Sequence, residues 1–242
     1  MIEIVNGIII ITLIIIIYKY FEKASYDVVM VKSNVNGKEY LVRNLPDSKQ
    51  EAADMLAKIS IKLQKLVDII QNMGADAIYD KYMKDDIIKE TSGGGSGKKD
   101  LIEGQNEEGS SEQKNLEYKI KQKLKGDIER LVKNFNPDAI SENAGDTAQF
   151  TSYSVNKGEK LVFCIRDKKE GEPIVKENII TFVIIHECAH LMNESVGHDV
   201  SFWSAMKLLL KLAIDNGIYK NIDFNSSPQE YCGINISDNP LK

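Results

Sequence analysis

The spacing of hydrophobic positions changes several times along the 242-residue chain, and each spacing predicts a different element. Residues 2–18 are nearly all apolar and rich in isoleucine, and they run into an aromatic and basic border of Tyr18, Lys19, Tyr20 and Phe21. About 17 to 25 apolar residues cross a bilayer core, and tyrosines suit its interface. A single-pass transmembrane anchor over residues 1–21 is therefore expected, with Lys19 and Lys23 placing the rest of the chain on the cytoplasmic side. Two β-prone runs around Asn36-Gly37 predict a hairpin or an extended stalk. After Pro46-Asp47-Ser48, the residues Leu56, Ile59, Leu63, Leu66, Ile70 and Met73 recur with helical period. That stripe is too short for a sustained coiled coil and is expected to pack within the chain. Gly74 ends it, and residues 75–89 read as a further short helix.

Between residues 91 and 114 the composition turns to Gly, Ser, Glu, Lys and Gln, which predicts a flexible linker. Leu116, Ile120, Leu124, Ile128, Leu131 and Val132 then mark an amphipathic helix over 115–134, stopped by Asn136-Pro137. The lysines on its other face read as solvated rather than as a phosphate-binding surface. Runs at 151–155 and 161–166 around Asn156-Lys157-Gly158 predict a second hairpin. Residues 177–192 read as a buried helix, apolar on most sides, and residues 202–213 as another helix ended by Asn216-Gly217. The expected organisation is an anchor (1–21), a membrane-proximal hairpin and helices (22–90), a linker (91–114) and one compact α+β domain (115–242).

Bulk properties narrow the function classes. A net charge of −5 and a pI near 5.4 advertise no basic surface, so nucleic acid is not an expected partner. Cys164, Cys188 and Cys232 lack the paired spacing of a disulfide framework or a zinc ribbon, and they read as reduced core thiols in a cytosol-facing domain.

The chemistry is concentrated in His186-Glu187-Cys188-Ala189-His190. On a helix His186 and His190 are one turn apart and face the same way, so both imidazoles can reach one ion. Glu187 stands beside them, suited to general-base work on a water rather than to ligation. A catalytic zinc takes three protein ligands and keeps one open position. The chain has three histidines in all, and they fall between positions 186 and 198, which nominates His198 as the third ligand. Had the helix run on, His198 would lie about 12 Å beyond His190 along its axis, so the helix must stop. Asn193-Glu194-Ser195-Val196-Gly197 offers the break, with Gly197 able to take the left-handed conformation that turns the chain back. Glu230 is an alternative third ligand, Tyr219 and Tyr231 are candidate oxyanion stabilisers, and Asp199 either caps the next helix or orients a ligand imidazole. One Zn2+ is the expected cofactor, an imidazole-rich site suiting that ion.

The HExxH pentad, followed by Gly197-His198-Asp199 and Phe202-Trp203, resembles the signature of WLM and SprT-like metalloproteases. The resemblance spans roughly residues 115–240 and is dense from 179 to 203. It implies a minimal zincin-like fold with a central HExxH helix and a small sheet or hairpin. It further implies His186, His190 and His198 as zinc ligands, Glu187 as catalytic base, and a protein or peptide substrate. Gly217-Ile218-Tyr219 and Pro228-Gln229-Glu230-Tyr231-Cys232-Gly233 are similar to WLM-like proteins of large DNA viruses, which would make the membrane that of a virion or host cell. In zincins a strand edge beside the metal holds the substrate backbone, a role the second hairpin would fill here. The competing expectations are a non-catalytic membrane or virion scaffold and a DNA-repair protease. Glu187 argues against the first and the acidic charge against the second.

Overall fold

The computed structural model describes residues 11–13, 28–91, 107–144, 151–238, 240 and 241. In chain order the elements are β1 (Val28–Lys32), β2 (Glu39–Arg43) and α1 (Lys49–Ile78), which continues through a π-helical turn at Tyr79–Met83 into α2 (Lys84–Thr91). There follow α3 (Glu107–Asn134), β3 (Ile140–Glu142), β4 (Tyr153–Val155), β5 (Lys160–Phe163), α4 (Glu177–Met192), α5 (Val200–Asp215), β6 (Gln229–Tyr231) and β7 (Ile234–Ile236). Five strands form a mixed sheet in the order β1-β2-β3-β5-β4. The inner pairs β2/β3 and β3/β5 are parallel, and the outer strands β1 and β4 run antiparallel to their neighbours. β6 and β7 pair separately as a hairpin.

The apolar periods explain the packing. Leu56, Ile59, Leu63, Leu66 and Ile70 of α1 are all buried, and α1 packs against the sheet as well as against α3 and α4. α4 is apolar around most of its circumference because it is enclosed by α1, α3 and α5. A buried ionic cluster joins the two halves of the chain. Glu142 of β3 accepts from Arg166 Nε at 2.6 Å and from the backbone N–H of Arg43 at 2.7 Å. Arg166 also donates to Ser48, the N-cap residue of α1. Removing one partner of such a cluster would strand a buried charge.

This packing corrects four expectations. Among the described residues no helix is long and apolar enough to cross a membrane. The most apolar of them, α4, has 16 residues and is spent on the core. That finding overturns the transmembrane anchor and the single-pass, cytoplasm-facing membrane location built on it; residues 1–10 and 14–21 of the expected anchor lie outside the described residues. The β1–β2 hairpin and α1, expected as a separate membrane-proximal region, share one sheet and one core with the elements C-terminal to residue 115. Leu41 of β2 sits in register with Ser141 of β3. Residues 107–114 of the expected linker belong to α3, and residues 92–106 lie outside the described ones. Finally, Cys164 and Cys232 form a disulfide, leaving Cys188 as a buried free thiol.

Candidate metal centre

Helix α4 ends at Met192 because Asn193 adopts an extended backbone, at the start of the break expected over residues 193–197. Gly197 provides the turn: its φ of +98° lies where side chains are disfavoured, and it brings His198 back toward the helix. Asp199 caps α5, accepting from Phe202 N–H at 2.9 Å, and it gathers Ser195, Ser201 and Asn193 around its carboxylate.

The three imidazoles converge. His198 Nε2 lies 3.0 Å from His186 Nε2 and 3.2 Å from His190 Nε2. Zn–N bonds of about 2.0–2.1 Å at tetrahedral angles would set ligand nitrogens about 3.3 Å apart. The donor set thus fits one divalent ion in both spacing and chemistry. With their protons on Nδ1, three neutral imidazoles would face one another with lone pairs alone, and an ion uses all three. Phe202, fully buried, lies against every ring of the triad, with centroids 4.8, 4.4 and 4.6 Å from His186, His190 and His198.

Electrostatics support ligation. Burial pushes His186 down to about 3, with further lowering from His190 and His198. Burial likewise lowers His190 to about 4, aided by His198 and Lys157. Both are neutral at physiological pH with lone pairs available. Glu187 is 6% exposed, and burial pushes its carboxyl up to about 7. A cation held by the adjacent histidines would act in the opposite direction.

Two cavities share His186 and Glu187. One, of about 420 Å³, lies between edge strand β4 and the loop 195–198. The other, of about 230 Å³, has apolar walls from Phe182, Val183, Trp203, Met206, Ile234 and Ile236. The β6–β7 hairpin supplies the last two, and the Cys164–Cys232 disulfide ties that hairpin to the end of β5.

The remaining candidates fall outside the centre or are already engaged. Tyr231 lines the apolar cavity, but its hydroxyl donates to the Cys164 carbonyl at 2.7 Å, so Ser152, 2.7 Å away, is the donor to Tyr231. Tyr219 stacks near Phe182, and its hydroxyl accepts from Ile222 N–H. Glu230 pairs with Lys169 at 3.0 Å and is absent from the triad. Lys157 and the backing role of Phe202 escaped sequence reasoning. A lysine in a turn carries no signal of its own, and Phe202 reads simply as core.

A central helix bearing His186, Glu187 and His190, with a returning loop that adds His198, defines an α+β protein with a candidate three-histidine metal centre. The chain is 30% identical over 239 residues to the uncharacterised protein R325 of Acanthamoeba polyphaga mimivirus, covering 99% of this chain and 98% of that one, and it belongs to the R325 family. A 69-residue match of 36% identity, 28% of this chain and 38% of the other, relates it to protein 136R of Invertebrate iridescent virus 6. A second, of 35% identity over 69 residues, covers 42% of protein 042R of Invertebrate iridescent virus 3. No family model and no solved structure matches the chain significantly.

Proposed function

We propose that the chain is a zinc-dependent metallopeptidase of the WLM/SprT-like kind, cleaving peptide bonds with Glu187 as general base. The observation that carries this reading is the convergence of His186, His190 and His198 on one point with the buried Glu187 carboxylate beside it. A purely structural site has no use for such a base, which disfavours the scaffold reading.

His186, His190 and His198 would hold the ion through Nε2. When bound, it supplies Lewis acidity, which lowers the pKa of a water toward about 7 and polarises a carbonyl. Glu187 takes the proton of the attacking water on a carboxylate oxygen and returns it to the leaving nitrogen. Edge strand β4 offers a backbone edge beside the triad, against which an extended substrate can pair with little demand on its sequence. The apolar cavity on the other side of Glu187 accepts a hydrophobic side chain of that substrate.

The test is Glu187→Gln in the full chain, assayed for zinc content and for cleavage of a quenched-fluorescent peptide library. The reading expects wild-type zinc and loss of turnover by at least a hundredfold, the scale of a positioned acid–base group. Unchanged cleavage in the variant, or no cleavage by the zinc-loaded wild type, refutes it.

A further inference from the structure

The ammonium of Lys157 sits on three successive backbone carbonyls of the segment that leads to His198. Its Nζ donates to Asn193 O at 2.8 Å, Glu194 O at 2.7 Å and Ser195 O at 3.2 Å. A lysine ammonium has three N–H donors, so all are engaged and none is left for a substrate. Two neighbouring carbonyls at the end of α4 are taken by α3: Met192 O by Arg130 Nε at 3.1 Å and Leu191 O by Asn134 Nδ2 at 3.4 Å. Side chains therefore receive five consecutive carbonyls, 191 to 195, where the chain leaves the helix and turns toward His198. Positive charge at a helix C-terminus also opposes its macrodipole.

The turn that carries Lys157 is itself fixed. Asn156, Lys157 and Gly158 have φ values of 45°, 53° and 110°, the left-handed run of a tight hairpin turn, which asparagine and glycine take readily and lysine rarely. At Gly158 a Cβ would come within 2.1 Å of Asn134 O, so the turn lies directly on the end of α3. The lysine thus projects from a rigid base onto the backbone of a loop whose side chains are tied separately, Asn193 and Ser195 both donating to Asp199. Val196 of that loop is 90% exposed.

We infer that Lys157 is a positioning residue for the metal centre: it gathers the carbonyls of residues 193–195 and so sets the loop geometry that brings His198 Nε2 to His186 and His190. The inference rests on the three-histidine metal reading. It separates Lys157 from a substrate-binding role, for which its place in the wall of the larger cavity would otherwise qualify it.

The experiment measures zinc affinity of the full chain by competition with a chromophoric chelator, and amide exchange of the metal-free protein. The variants are Lys157→Met and Lys157→Arg, each alone and with His198→Ala. Lys157→Met is expected to weaken zinc binding about tenfold or more, as loss of ligand-orienting partners does. Lys157→Arg keeps the charge but not a single donor point, and should fall between. With His198→Ala already present, Lys157→Met should change the residual affinity less than twofold, since its effect runs through His198. Exchange should quicken in residues 193–198 and stay unchanged in the interior of α4; this readout decides if His198→Ala leaves no measurable zinc binding or Lys157→Met fails to fold, when Lys157→Arg is the variant used. Equal affinity of wild type and Lys157→Met, equal losses in both backgrounds, or faster exchange along the whole of α4 overturns the inference. A wild type that takes up no zinc defeats the metal reading instead.

Discussion

Breaking the Cys164–Cys232 disulfide tests how the cavity beside Glu187 is walled. The bridge closes a loop of 68 residues that contains α4, α5 and β6. In the chain-entropy account a loop of that length removes about 15 cal/mol/K from the unfolded ensemble, or about 4 kcal/mol at 25 °C. For a chain of this size that corresponds to a drop in midpoint of roughly 8–16 °C. The native consequence is local, because an isolated two-stranded hairpin is marginal on its own. In the protein β6–β7 is held by the disulfide and by the Tyr231 hydroxyl bond to Cys164 O. The three histidines reside on α4 and its following loop and do not depend on that hairpin. A C164S/C232S chain should therefore melt several degrees lower, exchange its 229–236 amides faster, and keep its zinc. A midpoint within about 2 °C of wild type, well short of that drop, or loss of zinc together with the hairpin, would refute this division of labour.

Other perturbations have equally definite outcomes. Phe202→Ala removes the ring that backs all three imidazoles and should cost about 3–5 kcal/mol in urea unfolding while weakening zinc binding; an unchanged zinc affinity would count against its backing role. Glu177, in the first turn of α4, is held below the usual carboxylate range chiefly by the hydrogen bond from Lys62. Its folded pKa being depressed, its contribution is present above the unfolded value of about 4.3 and lost as pH falls through the folded one. Acid unfolding below about pH 5 should accordingly be shallower for Glu177→Gln, and identical pH profiles would remove this pair from the account. A fragment spanning residues 115–242 lacks β1, β2 and α1, leaves β3 as an exposed edge and uncovers α4; far-UV circular dichroism should show it unfolded, whereas a cooperative melt would mean the two halves are separable.

The site was more legible in the sequence than the fold around it. Helix spacing alone brings His186 and His190 together, and the scarcity of histidine nominates His198, so local geometry was enough. The bounds of α4 at 177 and 192 also match the span read from its largely apolar sequence. What could not be read depends on distant partners. The Ile-Ser-Glu of β3 has little strand character, and its glutamate is tolerated in the core only because Arg166 and the Arg43 backbone meet it there. The disulfide joins residues 68 apart, and no spacing rule pairs them. The β1–β2 hairpin was visible as a hairpin, but its pairing with β3 is a register set by tertiary packing. Lys157 looked like an ordinary turn residue because the carbonyls it binds lie some 36 to 38 positions away.

Whether His186, His190 and His198 hold one ion is decided by the metal content of the full chain, wild type and His198→Ala, by elemental mass spectrometry after gel filtration from zinc-containing buffer. One zinc per wild-type chain is expected, with a marked loss in the variant. A folded wild-type chain that emerges free of metal would contradict the three-histidine metal centre.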